Sequence, residues 1–135
     1  MNKIELRISS RVENIVQVEQ FIETFETTFG LTPEVFGKIS LSVIEAVNNA
    51  ILFGNRQAAD KYVTVSAWKE ELQFFVSVAD EGEGFDYSVI PDPTLPDNVV
   101  KVAGRGLYLM KILSDDLVFE NGGAKVTLVF NLCEV

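Results

Sequence analysis

The sequence of 135 residues contains no histidine and a single cysteine, Cys133. Without histidine, the chain cannot itself form a Ser-His-Asp triad, a histidine-ligated zinc site or a phosphohistidine. One cysteine cannot form an internal disulfide, and its place near the end of a predicted strand favours a buried thiol. These absences predict a cytoplasmic protein whose chemistry depends on other side chains.

Positive charge is also scarce, since 11 Lys and Arg stand against 20 Asp and Glu, for a net charge of −9. Nucleic-acid binding needs cations that replace counterions, so this balance argues against nucleic acid and against an anionic membrane. No run approaches the ~18 uninterrupted apolar residues of a membrane span, and residues 1–10 lack the apolar core of a signal peptide. An acidic chain can still bind an anion locally, through helix N-termini, backbone amides or a metal ion.

The hydrophobic content of 47% and the length predict one domain, residues 1–135, with a sizeable core. Its periodicities predict an α/β (α+β) two-layer sandwich, in which helices cover one face of a mixed, mostly antiparallel sheet. Residues 86–103 hold three of the four prolines and predict a long loop or lid. The remaining predicted elements are a strand at 3–9, a helix up to 30, a helix at 32–53, strands at 62–68 and 72–80, a helix at 106–114 and a hairpin around 121–123.

The helix ends have recognisable sequence signals. Ser10 and Glu13 have capping-box spacing, which predicts the start of the first helix. Thr32 before a proline predicts the N-cap of the second helix. Gly30 and Gly54 are predicted to end the two helices, the latter in a left-handed conformation.

The second helix has one clear apolar stripe and a second, mixed face. Glu45 and Asn49 lie one turn apart on the second face, which they share with Leu41 and Leu52. A helix with apolar residues on both sides is usually covered on both sides, which predicts a partly shielded cleft at Glu45 and Asn49. The alternative is a solvated surface acid beside a surface amide. The stripe predicted to face the sheet consists of Phe36, Ile39, Val43, Val47 and Ala50.

The segment VADEGEGF, residues 78–85, places an acid at the end of an apolar strand. Strand side chains alternate, so Asp80 is predicted to share the inward side of Val78 and to face a cleft. Gly82 and Gly84 would let the backbone turn and a ligand approach closely. A calcium loop is excluded because the third and fifth positions hold these glycines instead of oxygen ligands.

A second glycine cluster, AGRGLYLMK, begins at Ala103. Gly104 and Gly106 are predicted where a loop enters a helix, so that free amides could hold a phosphate. Arg105 is either a phosphate ligand or an exposed loop charge. Neither a dinucleotide fingerprint nor a P-loop is present.

Together, and in this order, EAVNNA (45–50), DEGEGF (80–85), a lid and GRGL (104–107) resemble the motifs of the GHKL ATPase superfamily, which includes the ATP domains of histidine kinases. The small size, the PDP of the lid and GRGLYLMK are similar to the bacterial anti-sigma-factor serine/threonine kinases, or switch-protein kinases. The resemblance covers residues 4–132 and implies a Bergerat-type fold with an ATP lid.

The resemblance also implies roles for single residues. Asn49 would ligate a Mg²⁺ that bridges the phosphates of ATP, and Glu45 would orient or deprotonate the acceptor hydroxyl. Asp80 would accept a hydrogen bond from the adenine amino group, and Arg105 would act at the γ-phosphate as a second catalytic residue. The implied ATP-binding set is Asn49, Asp80, Gly82, Gly84, Gly104, Arg105, Gly106 and Leu107.

The implied activity is a protein kinase that binds and inhibits a sigma factor and phosphorylates Ser or Thr of an anti-sigma-factor antagonist, with a homodimer as a possible assembly. The chain departs from relatives at Phe53, where many have histidine, and at Ala124, where many have threonine. Thr127 lies on the opposite strand face from Ala124 and cannot replace that threonine. These departures motivate an alternative, a non-catalytic nucleotide-binding module that acts by stoichiometric capture of a partner.

Overall fold

The computed structural model describes residues 3–84 and 102–132, with side chains from residue 105 onward in the second segment. Residues 86–101 of the predicted lid and Cys133 lie outside these residues.

One sheet of five strands runs through the described residues in the order β1-β2-β3-β5-β4, and each of the four pairings is antiparallel. The two predicted hairpins are present, β2–β3 and β4–β5, and Val78 pairs with Val126 in the centre of the sheet. The strands are β1 Ile4–Ser9, β2 Tyr62–Glu70, β3 Gln73–Ala79, β4 Asp116–Glu120 and β5 Lys125–Asn131.

The helices form the second layer, which packs on one face of the sheet. Alternate sheet residues such as Val76 and Leu128 are fully buried against it. Phe74 of β3 packs edge-to-face on Phe25 and Phe29, with ring centroids 5.4 and 4.9 Å apart. The predicted two-layer α+β sandwich is confirmed. The helices are α1 Ile15–Glu23, α2 Phe25–Phe29, α3 Pro33–Asn49 and α4 Val102–Leu113.

The first predicted helix is broken, and its predicted capping box is wrong. A short 3₁₀ turn, Val12–Asn14, precedes α1, and Arg11 stands at its N-cap without a side-chain hydrogen bond. Ser10 is buried, and its hydroxyl donates to the Lys61 carbonyl oxygen at 2.8 Å. Its hydroxyl therefore joins β1 to the chain before β2 and caps no helix. Gly30 ends α2 at φ 67°, as predicted.

α3 follows its sequence signals closely at the start and along its buried face. The Thr32 hydroxyl accepts a hydrogen bond from the Val35 amide at 3.4 Å, as expected of the predicted N-cap. Ile39, Val43 and Val47 are fully buried. Within the described chain, Pro33–Gly54 is the one helical stretch long and apolar enough to cross a membrane, with 22 residues and mean hydropathy 1.3, but its apolar stripe packs in the core.

The end of α3 differs from the prediction. The helix continues as a π-helical turn, Ala50–Gly54, and Gly54 does not adopt a left-handed conformation. Arg56 and Gln57 have positive φ instead, at 51° and 59°. π-turns insert an extra residue and often occur at functional sites. Here the turn places Gly54 against Asp80, which directly follows β3.

α4 begins at Val102, four residues before the predicted start. Gly104 and Gly106 therefore lie inside the first two turns of a helix, and the prediction that they form its entry loop is wrong. The amides of the first turn remain the ones without helical acceptors. Glycine at position 106 is explained instead by its close contact with α3.

Candidate functional site

A cavity of about 180 Å³ lies between α3 with its π-turn, the end of β3, α4 and the β4–β5 hairpin. Its walls are mainly apolar, with Asn49 and Asp80 as the polar side chains. Such a lining suits a flat organic ligand that is oriented by a few polar groups. The lining residues are Ala46, Asn49, Ala50, Phe53, Gly54, Val78, Asp80, Gly84, Leu107, Met110, Phe119, Gly123 and Val126.

Asp80 directly follows β3 and faces this cavity, as strand alternation predicted. Its amide donates to the Ala124 carbonyl oxygen at 2.8 Å, and its Oδ1 accepts from the Gly82 amide at 2.8 Å. Burial raises the pKa of the Asp80 carboxyl above its ordinary value, while the Gly82 hydrogen bond and the charge of Lys61 act in the opposite direction. The carboxylate is thus held in place and partly desolvated.

Three glycines allow the backbone segments around Asp80 to come together. A Cβ on Gly54 would collide with the Asp80 carboxylate, 2.8 Å from Oδ1. A Cβ on Gly82 would lie 2.7 Å from the Gly54 carbonyl carbon, and one on Gly84 would lie 2.7 Å from the Gly122 carbonyl carbon. Gly84 also has φ 84°, which favours glycine. Glycine at these positions is therefore required by close approach.

Glu45 and Asn49 meet α4 at Gly106. A Cβ on Gly106 would lie 3.1 Å from Asn49 Nδ2 and 3.3 Å from Glu45 Oε2. Both side chains are partly buried, while Leu41, one turn before Glu45, remains 46% exposed. α4 therefore covers the two polar residues and leaves Leu41 outside the contact.

The other predicted residues divide into two groups. Leu107 is buried and lines the cavity with its side chain. Arg105 is exposed in the first turn of α4, and Gly104 contributes backbone to the same turn. The structure thus brings Asp80, Asn49 and Leu107 to one cavity and places Glu45 beside it, whereas Arg105 lies at the helix start.

Phe53 and Ala124, at which the sequence departs from the family pattern it resembles, also border this site. Phe53 lines the cavity and is 48% exposed, which is high for a phenylalanine. Ala124 is buried, and its carbonyl oxygen holds the Asp80 amide. Thr127 pairs with Ser77 on β3, next to Val126, which faces the core. Strand alternation thus directs Thr127 away from the cavity, as the parity argument predicted.

Asn55 is a residue that the sequence analysis missed. It is 2% exposed and follows the π-turn. Its Nδ2 donates to Ser10 Oγ at 2.7 Å and to the Tyr62 carbonyl oxygen at 3.0 Å, and its Oδ1 accepts from the Glu81 amide at 2.7 Å. These partners are 45, 7 and 26 residues away. No local pattern signals such contacts.

The polar side chains of the site fit Mg²⁺ only as an ion with few protein ligands. Across residues 3–84 and 102–132, no group of three acidic or cysteine side chains could hold a metal ion. Mg²⁺ in phosphate-transfer sites usually keeps several waters and takes one or two protein ligands plus substrate phosphates. The amide of Asn49, in the wall of the cavity, fits an ion that arrives with a nucleotide and not a permanent metal centre.

The comparisons with known proteins identify the family of the chain. Residues 8–130 match the family described as histidine kinase-like ATPase domain, and the chain belongs to that family. The curated relatives include the serine-protein kinase RsbW of Bacillus subtilis, 26% identical over 124 residues, with 87% of this chain and 78% of the relative covered. The anti-sigma F factor of Geobacillus stearothermophilus is 28% identical over 133 residues, which cover 96% of this chain and 90% of the relative. The family predicted from the motifs is confirmed.

Among solved structures, the chain is similar to the RsbU and RsbW domains of a Mycobacterium tuberculosis protein, with a TM-score of 0.69 and 17% identity. All of this chain is covered, and it spans 34% of that longer chain. At this identity the similarity supports the fold.

Proposed function

We propose that the protein is an anti-sigma-factor serine/threonine kinase that binds ATP with Mg²⁺ in this cavity and phosphorylates a Ser or Thr of an antagonist protein. The observation that carries the proposal is the convergence of Asp80 and Asn49 on one apolar cavity with Glu45 alongside. The curated relatives named as serine-protein kinase and anti-sigma F factor support the same class of activity.

The purine end of the nucleotide would lie at Asp80. The partly desolvated carboxylate of Asp80 can accept a hydrogen bond from the exocyclic amino group of adenine. Apolar walls such as Val78 and Met110 suit the faces of the ring. The Ala124 and Gly82 contacts hold this acceptor in place before the ligand arrives, which lowers the entropy lost on binding.

The phosphate end would lie toward Asn49 and the start of α4. Amides of the first turn of α4 and the exposed Arg105 can stabilise phosphate oxygens. Mg²⁺, when bound, supplies charge neutralisation of the phosphates, and Asn49 would be its protein ligand. Glu45, which lies near Gly106 together with Asn49, would orient the acceptor hydroxyl or take its proton.

The protein partners proposed for this activity are a sigma factor, which the protein would inhibit, and its antagonist. A cytoplasmic location and a homodimer belong to the same proposal.

A second function, nucleotide-dependent capture of a partner without phosphotransfer, is favoured by Phe53 at the cavity wall, where many relatives have histidine. Both functions require the nucleotide site. They differ in whether Glu45 acts on an acceptor hydroxyl.

Transfer of labelled γ-phosphate from Mg-ATP to proteins recovered with this chain from its native cell separates the two. We expect Glu45→Gln to reduce transfer by about 10²- to 10⁴-fold, a typical range for loss of general base catalysis, while ATP affinity changes little. Glu34→Gln, an exposed acid in the first turn of the same helix, is the matched control and should retain transfer. Partner capture without any transfer by the wild type would instead support the binding module.

A further inference from the structure

The turn that carries Asp80 is fixed by three successive backbone amides, each with its own acceptor. The Asp80 amide donates to the Ala124 carbonyl oxygen, the Glu81 amide to Asn55 Oδ1, and the Gly82 amide to the Asp80 carboxylate. The first bond lies just beyond the paired residues of β3 and β5, and the third lies within the turn. Among the described residues, the middle bond is the one that links these three amides to a side chain of another element.

Asn55 and its neighbour act on this turn together. Gly54 leaves space for the Asp80 carboxylate. Asn55 holds the peptide bond between Asp80 and Glu81. Because Asn55 is almost completely buried, its amide oxygen accepts from the Glu81 amide with little competition from water. The position of the Asp80 carboxylate is thus coupled to the end of α3 through two adjacent residues.

The two ends of the Asn55 amide have separate tasks. Nδ2 donates to Ser10 Oγ and the Tyr62 carbonyl oxygen, which joins the end of β1 to the start of β2. Within the described part of the chain, Oδ1 accepts a hydrogen bond from the Glu81 amide alone. The contact of Nδ2 with Ser10 can therefore be removed while the contact of Oδ1 with the Glu81 amide stays in place.

We propose that Asn55 is a positioning residue that sets the Asp80 carboxylate for recognition of the 6-amino group of a purine nucleotide. The inference rests on the proposed nucleotide site and assigns a specificity role to a residue outside it. Asn55 would touch neither the base nor the phosphates. It would act through the Glu81 peptide.

The test compares the affinity for ATP with the affinity for purine riboside triphosphate, which lacks only the 6-amino group. A charge-assisted hydrogen bond to Asp80 should give the wild type a roughly 10- to 100-fold preference for ATP. Asn55→Ala should lose most of this preference by weakening ATP binding while the affinity for the analogue stays within about two-fold. If the alanine variant does not fold, Asn55→Ser, whose hydroxyl can keep one hydrogen bond, is used in the same comparison.

Ser10→Ala is the control, because it removes a structural partner of Nδ2 and leaves Oδ1 on the Glu81 amide. It should lower the unfolding midpoint and keep the preference for ATP. An equal loss of preference in Ser10→Ala, or an unchanged preference in the Asn55 variants, would overturn the positioning role. A wild type that binds neither nucleotide would overturn the proposed function itself, so the two failures are distinguishable.

Discussion

Replacement of Asp80 by asparagine is expected to stabilise the protein in the absence of nucleotide. Burial is the largest influence on the Asp80 carboxyl and raises its pKa, so ionisation is less favourable in the folded chain than in the unfolded chain. Asparagine has nearly the same shape, stays neutral and can still accept the Gly82 hydrogen bond through Oδ1. The substitution therefore removes the desolvation of a charge and keeps the turn.

The sign of the pH dependence follows from the raised pKa. Below the unfolded value near 3.8, the carboxyl is protonated in both states, and the advantage of the variant over the wild type should be smallest. As the pH rises through the folded pKa, the unfolded wild type ionises first and the wild type loses stability relative to the variant. The difference should be fully developed at neutral pH.

Saturating Mg-ATP should reverse the order. A ligand at 100 times its Kd stabilises the folded state by about 2.7 kcal/mol, and the wild type should gain this amount. The variant loses a charge-assisted hydrogen bond worth about 1.5–3 kcal/mol, so its affinity should fall roughly 10- to 150-fold. Roughly half or more of the stabilisation by ATP is then lost at the same ATP concentration.

Urea denaturation at neutral and acidic pH, with and without Mg-ATP, measures all three effects. Isothermal titration of ATP into each protein gives the affinities independently. The reasoning is refuted if nucleotide-free Asp80→Asn is less stable than the wild type at neutral pH and the deficit grows with pH. That result would mean that the fold stabilises the Asp80 charge by itself.

Three glycine substitutions provide the remaining predictions. Gly106→Ala should keep or raise stability, because alanine favours a helix by about 0.8–1 kcal/mol over glycine, yet it should weaken Mg-ATP binding by pressing a Cβ toward Asn49 and Glu45. Gly37→Ala, also the fifth residue of its helix but with no atom within 4 Å of the added Cβ, should give the gain in thermal stability without any change in titrated ATP affinity. Gly54→Ala should lower both stability and affinity, with a destabilisation of about 1–3 kcal/mol from overpacking against Asp80. Binding by Gly106→Ala that matches the wild type would contradict the assigned contact.

The features predicted from sequence are those that depend on local periodicity. Strand alternation was sufficient to turn Asp80 inward, and the 3.6-residue period was sufficient to separate the buried stripe of α3 from Glu45 and Asn49. Thr32 before Pro33 located the start of α3 because an N-cap involves residues three apart. In each case the partners lie within a few residues or repeat with the period of the element.

The errors occur where a distant partner decides the structure. Ser10 has the spacing of a capping box, but its hydroxyl donates to the Lys61 carbonyl oxygen and accepts from Asn55 Nδ2. These partners are 51 and 45 residues away. Glycine often ends helices, which predicts a left-handed conformation for Gly54. In the structure, its missing side chain instead makes room for the Asp80 carboxylate. The start of α4 at Val102 was missed because the glycines at 104 and 106 have low helix propensity, and packing of Gly106 on α3 overrides that propensity.

The state of Asp80 bears on the choice between the two proposed functions. A partly desolvated carboxylate raises the free energy of the empty protein unless a hydrogen-bond donor arrives to use it. A module that captured a partner without nucleotide would gain nothing from this arrangement, or from glycines that hold Asp80 against the end of α3. Nucleotide binding is therefore common to both functions, and Asp80 variants cannot separate them. The separation depends on Glu45, which lies beside Asn49 at Gly106 and whose proposed role requires a reacting phosphate and an acceptor hydroxyl.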